Sequence, residues 1–255
     1  MVQELPRRTN FSGPALIRLL ARLSNTDVLE SGQSIADRLG LWLGWTDAIA
    51  LAGVLNGPAL AVPSETGSAD KAVEAECARE RAALQEAIIG VNRPVSARHR
   101  GQRAVAVQRD VRIPAPVEFA TYRRRYSLLQ ERMATSITGL RSRLRTALAC
   151  RDAKMIRLVG VDAAMEQALS PREDALLAGV PALLEGHFQR LQQAAQIAPA
   201  DGDHVPQQSA AQVPNAWLDI FEKDMQSVLL AELDIRLQAL EGLLAALQDC
   251  QPRTL

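Results

Sequence analysis

The sequence predicts an all-α protein, an elongated bundle of about seven helices, several of them long. Three observations carry this. Alanine, leucine, glutamine and arginine are abundant and aromatics make up only 4% of the 255 residues, a balance that favours helix over strand. Two stretches in the second half keep apolar residues at helical spacing over many turns. An apolar content of 47% is enough for a buried core.

The first helix is predicted after Ser12, a capping residue followed by Gly13 and Pro14; ALIRLLARL then sets Leu16, Leu20 and Leu23 on one side. Arg18 and Arg22 make it basic, but it is short, and docking on the core is the expected use. A second helix is expected from Ser34 to Leu55, the most apolar stretch of the chain. Between Leu39 and Leu55 its only charge is Asp47, in mid-segment, and 17 residues lie at the lower limit for crossing a bilayer, so membrane insertion is not expected. Trp42 and Trp45, three apart, are read as core anchors on one helix face.

Asn56-Gly57-Pro58 and the residues to Gly67 read as a loop, and Ser68 as the cap of a third helix to about Ile89. The apolar face of this helix is mostly alanine, and Glu74, Glu76, Arg79, Glu80 and Arg81 are assigned to its exposed side. Prolines 94, 114 and 116 and the loss of helical period make 92–115 a linker between an N-terminal helical region, 1–91, and a long-helix bundle, 116–255.

From Pro116 the chain is predicted to form its most regular helix. Phe119, Tyr122, Tyr126, Leu129, Met133, Ile137, Leu140, Leu144 and Leu148 recur every 29/8, or 3.63, residues, the period of a straight helix rather than the 3.5 of a sustained coiled coil. A fifth helix is expected over 152–169. Ser170-Pro171-Arg172-Glu173 signals the start of a sixth, with a break at Pro181. Residues 197–213 read as a loop. The last helix opens at Pro214, with Phe221, Met225, Leu229, Leu233, Leu237, Leu240, Leu244 and Leu247 recurring every 26/7, or 3.71, residues on a face wide enough for more than one neighbour.

Charge is segregated along this frame. Residues 92–151 hold 14 arginines and no lysine against Asp110, Glu118 and Glu131, a net of +11 in a chain of zero formal charge. Arg98, Arg100 and Arg103 in the linker, with Arg123, Arg124, Arg125, Arg141, Arg143 and Arg145 on the long helix, are the candidate anion-binding or partner-binding residues. Arg132 adds to that face, and Tyr122 and Tyr126 are available for stacking. The competing expectation is that these arginines pair with acidic residues of the sixth and last helices or are solvated. It is favoured because both tyrosines lie on the apolar stripe and because the zero overall charge weakens attraction to phosphate.

FSGPALIRLLARL, LGLWLGWTDAIALAGVL, YRRRYSLLQERM and VLLAELDIRLQALEGLL together resemble a beta-proteobacterial family catalogued only as a domain of unknown function. The resemblance spans nearly the whole chain. Genes of that family can lie near OmpA-like envelope proteins, which implies at most an accessory role and transfers no site residue.

No glycine-rich phosphate loop, nucleophile elbow, His-x-x-x-His or Cys-x-x-Cys is present. His99, His187 and His204 are read as ordinary solvated or half-buried histidines. Asp224, Glu232 and Asp234 could form an acidic site, but a solvated helix face accounts for them equally well. Cys77, Cys150 and Cys250, odd in number and far apart, suit free thiols in a reducing compartment, and with no signal-peptide core the expectation is cytoplasmic. The function expected is therefore a non-catalytic helical scaffold or accessory protein with a protein partner or self-association. No enzyme activity, cofactor or metal is expected. The alternative is nucleic-acid binding through the arginine-rich segment 93–151.

Overall fold

In a computed structural model of the protein, residues 14–26, 35–57, 67–90, 118–197 and 216–250 are described, and among them every regular element is a helix. There are eight: α1 (Ala15–Ser24), α2 (Ile35–Trp42), α3 (Trp45–Asn56), α4 (Gly67–Gly90), α5 (Phe119–Ala149), α6 (Ala153–Leu177), α7 (Val180–Ile197) and α8 (Ala216–Asp249).

The two long periodic segments form the spine. All nine stripe residues predicted for α5, from Phe119 to Leu148, are buried. On α8, Phe221, Met225, Leu229, Leu233, Leu237, Leu240 and Leu247 are buried, and Val228 and Leu243 widen the face. The pair runs parallel. Phe119 meets Phe221 at one end, and at the other Arg151 is close enough to act on the Cys250 thiol. At ~1.5 Å per residue α8 is about 50 Å long, so its partners must be long too. α4 runs antiparallel to α5, with Asp70 paired to Arg151, Glu76 to Arg143 and Glu80 to Ser136. α6 is antiparallel as well, joining Asp162 to Arg141 and the Leu177 carbonyl to Gln130. α4, α5, α6 and α8 thus make an elongated bundle whose core is the shared apolar stripe.

The alanine-rich face of α4 is saved from weak packing by Cys77, Leu84 and Ile88, all buried against α5 and α8. α7 closes one end, where Phe119, Tyr122, Phe188, Trp217 and Phe221 pack edge to face or tilted, with centroids 5.1–6.2 Å apart. α1 docks there on α7 and α8. Asn25, at φ 54°, ends it in the left-handed conformation, Arg190 donates to the Leu23 carbonyl, and Arg22 reaches Asp224, which also bonds His187.

Three sequence expectations are corrected. The apolar segment 34–55 is two helices. The Asp47 carboxylate accepts from the Gly44 N–H at 2.9 Å, a reach-back bond that starts a new helix at Trp45 and leaves the single charge between Leu39 and Leu55 at a helix N-terminus. Trp42 and Trp45 are not core anchors, being 39% and 82% exposed. Ser170-Pro171 does not start a helix, because α6 continues through Pro171. An interior proline costs about 3 kcal/mol, but both sides of it are held, Asp162 and Glu166 before it and Leu177 after it packing on α5. The turn comes instead at Ala178 and Gly179, and Pro181 falls in the first turn of α7, where a missing N–H is harmless. Helix α3 lies on α6, and a Cβ at Gly160 would sit 2.5 Å from Val54 Cγ1, so only glycine admits this approach. The 92–115 linker and nearly all of the 197–213 segment fall outside the described residues.

Candidate functional site

The arginine block divides into groups with different surroundings. Arg141 and Arg145 are half-buried and share two carboxylates of α6, Asp162 and Glu166, which lie in the stretch 152–169 rather than on the two later helices expected to neutralise them. Arg141 contacts Asp162 at 2.5 Å and Glu166 at 3.4 Å, and Arg145 contacts the same two at 2.5 and 2.6 Å. Burial alone would raise the Asp162 carboxyl, but hydrogen bonds and charge from both guanidinia hold it below the usual carboxylate range. Arg143 faces α4 and pairs with Glu76 at 3.2 Å. Arg125 is half-buried, with its guanidinium 6.0 Å from the Tyr122 ring centroid. Arg123, Arg124 and Arg132 point to solvent. Arg98, Arg100 and Arg103, with His99 and His204, lie outside the described residues. The structure thus does not bring the described candidates into one basic face.

One cluster was not legible as such in the sequence. Glu232 has no exposed surface and accepts from the Tyr126 hydroxyl at 2.5 Å, from Gln130 Nε2 at 3.0 and 3.1 Å, and from Arg236 Nε at 3.0 Å. The solvated reading of Glu232 is therefore overturned. Arg236 also reaches Asp174, tying α6 to the cluster. Burial, then the Glu232 charge and its hydrogen bond, push the Tyr126 phenol far above its usual range, and Tyr122, bonded to Glu222 at 2.8 Å, is pushed up mainly by burial. Burial likewise raises the nearby Glu173 carboxyl. The visible signal was a lone acid inside VLLAEL, on a face too apolar to be solvated. A carboxylate with no exposed surface and several donors aligns helices; a substrate has no path to it.

A cleft of about 500 Å³ lies between α4 and α8, lined by Cys77, Arg81, Leu237, Leu240 and Leu244 among others. Burial raises the Cys77 thiol, which keeps it protonated and a poor nucleophile. Among the described residues no group of three or more His, Cys, Asp or Glu could hold a metal ion, and no helix is long and apolar enough to cross a membrane.

The surface that stands out is apolar. Leu41, Trp45, Ile49 and Leu55 of α2 and α3 are 68%, 82%, 56% and 53% exposed, and α3 has no buried residue. A helix apolar all round is ordinarily covered all round, and α6 covers one side of this one.

No curated protein and no solved structure matches the chain. A family model described as "Protein of unknown function (DUF3348)" matches residues 1–249, and the chain belongs to that family.

Proposed function

We propose that the protein is a non-catalytic helical scaffold or accessory protein that presents the outer face of α2 and α3 to another protein. The observation that carries this is Trp45, 82% exposed in a segment whose single charge between Leu39 and Leu55 is used to cap α3. Exposed apolar surface of this kind costs solubility, and a rigid bundle behind it supplies a preorganised platform. The ion pairs made by Arg141, Arg143 and Arg145 support the same reading, since they engage three of the fourteen arginines of 92–151 with carboxylates of the fold itself. A cytoplasmic setting goes with it, in keeping with three free thiols. Nucleic-acid binding through 93–151 is the competing proposal, resting on exposed Arg123 and Arg124.

The test is affinity purification from the native cell with mass spectrometry, comparing the wild type with Trp45→Asp. Specific partners, including untagged copies of the chain, should be lost from the variant. Recovery of nuclease-sensitive nucleic acid by both forms, with no protein that depends on Trp45, would overturn the proposal in favour of the competing one.

A further inference from the structure

We infer that the uncovered face of α3 is the two-fold contact of a homodimer, in which α3 packs antiparallel on α3 of a second copy. This rests on the reading that the face receives a protein, and it names that protein. At 100° per residue, Ala48, Ile49 and Ala52 fall within about 60° of Trp45 around the helix, whereas Leu51 and Val54 fall about 120° and 180° away. The second group is the side turned to α6, where Val54 meets Gly160. The first group is exposed at all four positions. Helix α3 therefore carries two apolar faces on opposite sides, and one is used.

The unused face alternates in size, with Trp45 and Ile49 large and Ala48 and Ala52 small. A two-fold axis midway between Ala48 and Ile49 sets Trp45 of each copy against Ala52 of the other, and Ala48 against Ile49. Every bulky side chain then meets a small one, as close packing of facing helices requires. Parallel pairing would set Trp45 against itself. The same face is thus complementary to its own copy in one orientation.

Charge points the same way, and the area sets the strength. No Lys or Arg lies between Leu39 and Asn56, so anionic lipid finds no counter-charge, and Asp47 is bonded to Gly44 rather than presented on this face. Antiparallel pairing also sets opposite helix dipole ends together. Trp45 and Ile49, with Ala48 and Ala52 beside them, offer on the order of 400 Å² per copy, or about 800 Å² for the pair, below the ~1,200 Å² at which standard specific interfaces begin and in the range of weak contacts. Association in the micromolar range is the corresponding expectation.

Sedimentation equilibrium of the full-length chain from about 1 to 100 μM tests this. The wild type is expected to be a dimer at the upper concentrations. Trp45→Asp and Ile49→Lys should each raise the dissociation constant at least about thirty-fold with the helical circular dichroism unchanged. Ala52→Trp alone should also disrupt it, and the exchange Trp45→Ala with Ala52→Trp should restore it, because large and small have changed places across the axis. A wild type monomeric throughout, a dimer indifferent to Trp45→Asp, or an exchange variant no better than its single parents would overturn the inference. So would a monomer that binds lipid vesicles through Trp45. A monomeric wild type that still loses a different protein on Trp45→Asp would defeat the homodimer while leaving the interaction function standing.

Discussion

The Tyr126 hydroxyl lies 2.5 Å from Glu232 Oε2, and it donates to a carboxylate with no contact with water. With Gln130 and Arg236 the pair forms a polar joint inside an apolar core, linking α5 to α8. Tyr126→Phe removes one donor and leaves two, and should cost about 1–3 kcal/mol. Glu232→Ala leaves the half-buried Arg236 only its longer contact with Asp174, at 3.6 Å, and should cost about 3 kcal/mol. Urea titration checks both, and equal small losses would show that the joint carries little.

Alkaline stability follows from the tyrosines. The chain has two, Tyr122 and Tyr126, and the folded state holds both phenols above the usual value of about 10. A raised folded pKa stabilises fully below the unfolded pKa and loses that contribution as pH climbs through and beyond it. Ultraviolet titration should therefore show no phenolate absorbance near pH 10 in the folded protein. Ionisation should instead accompany unfolding at higher pH. A normal curve for either phenol in the native state would contradict the burial.

The Arg141, Arg145, Asp162 and Glu166 cluster should weaken in acid. The Asp162 pKa is lowered on folding, so its contribution is present above about pH 4 and is lost as pH falls through the folded value. Asp162→Asn leaves two half-buried guanidinia with Glu166 alone and should cost about 1–3 kcal/mol at neutral pH. The loss should be smaller at pH 3, as denaturant melts at the two pH values would show.

Within Arg123, Arg124 and Arg125 the effects should be unequal. Arg125→Gln gives up the contact with the Tyr122 ring and should cost about 0.5–1 kcal/mol. Arg123→Gln and Arg124→Gln, at exposed positions, should change stability by less than about 0.5 kcal/mol. On the scaffold reading, no duplex binding survives physiological salt. Sub-micromolar binding to random DNA at that salt, lost in the triple variant, would promote the nucleic-acid proposal.

The stripe from Phe119 to Leu148 was legible residue by residue, because a helix with one covered face repeats its demand for apolar side chains every turn. Glu232 was not, since its fate depends on Tyr126 and Gln130, more than a hundred residues away in sequence. Trp42 and Trp45 show the opposite limit. Their pattern states that a face is apolar but does not say whether the chain has an element to put on it, and the Asp47 bond to Gly44 that separates them is visible only in three dimensions. Arg141 and Arg145 were legible as basic, while their use was set by where α6 docks.

Arg22 reaches Asp224 across 202 residues of chain, and the surfaces that receive α1 belong to α7 and α8. At ~5–20 residues per second, a ribosome makes α1 roughly 10–40 s before its seat exists. α3 waits for α6, and α4 for α5 and α8. Through that interval the nascent chain shows Leu16, Leu23, Leu84, Ile88 and the tryptophans of α2 and α3 to its surroundings, so efficient production should depend on chaperones that shield apolar helices during translation.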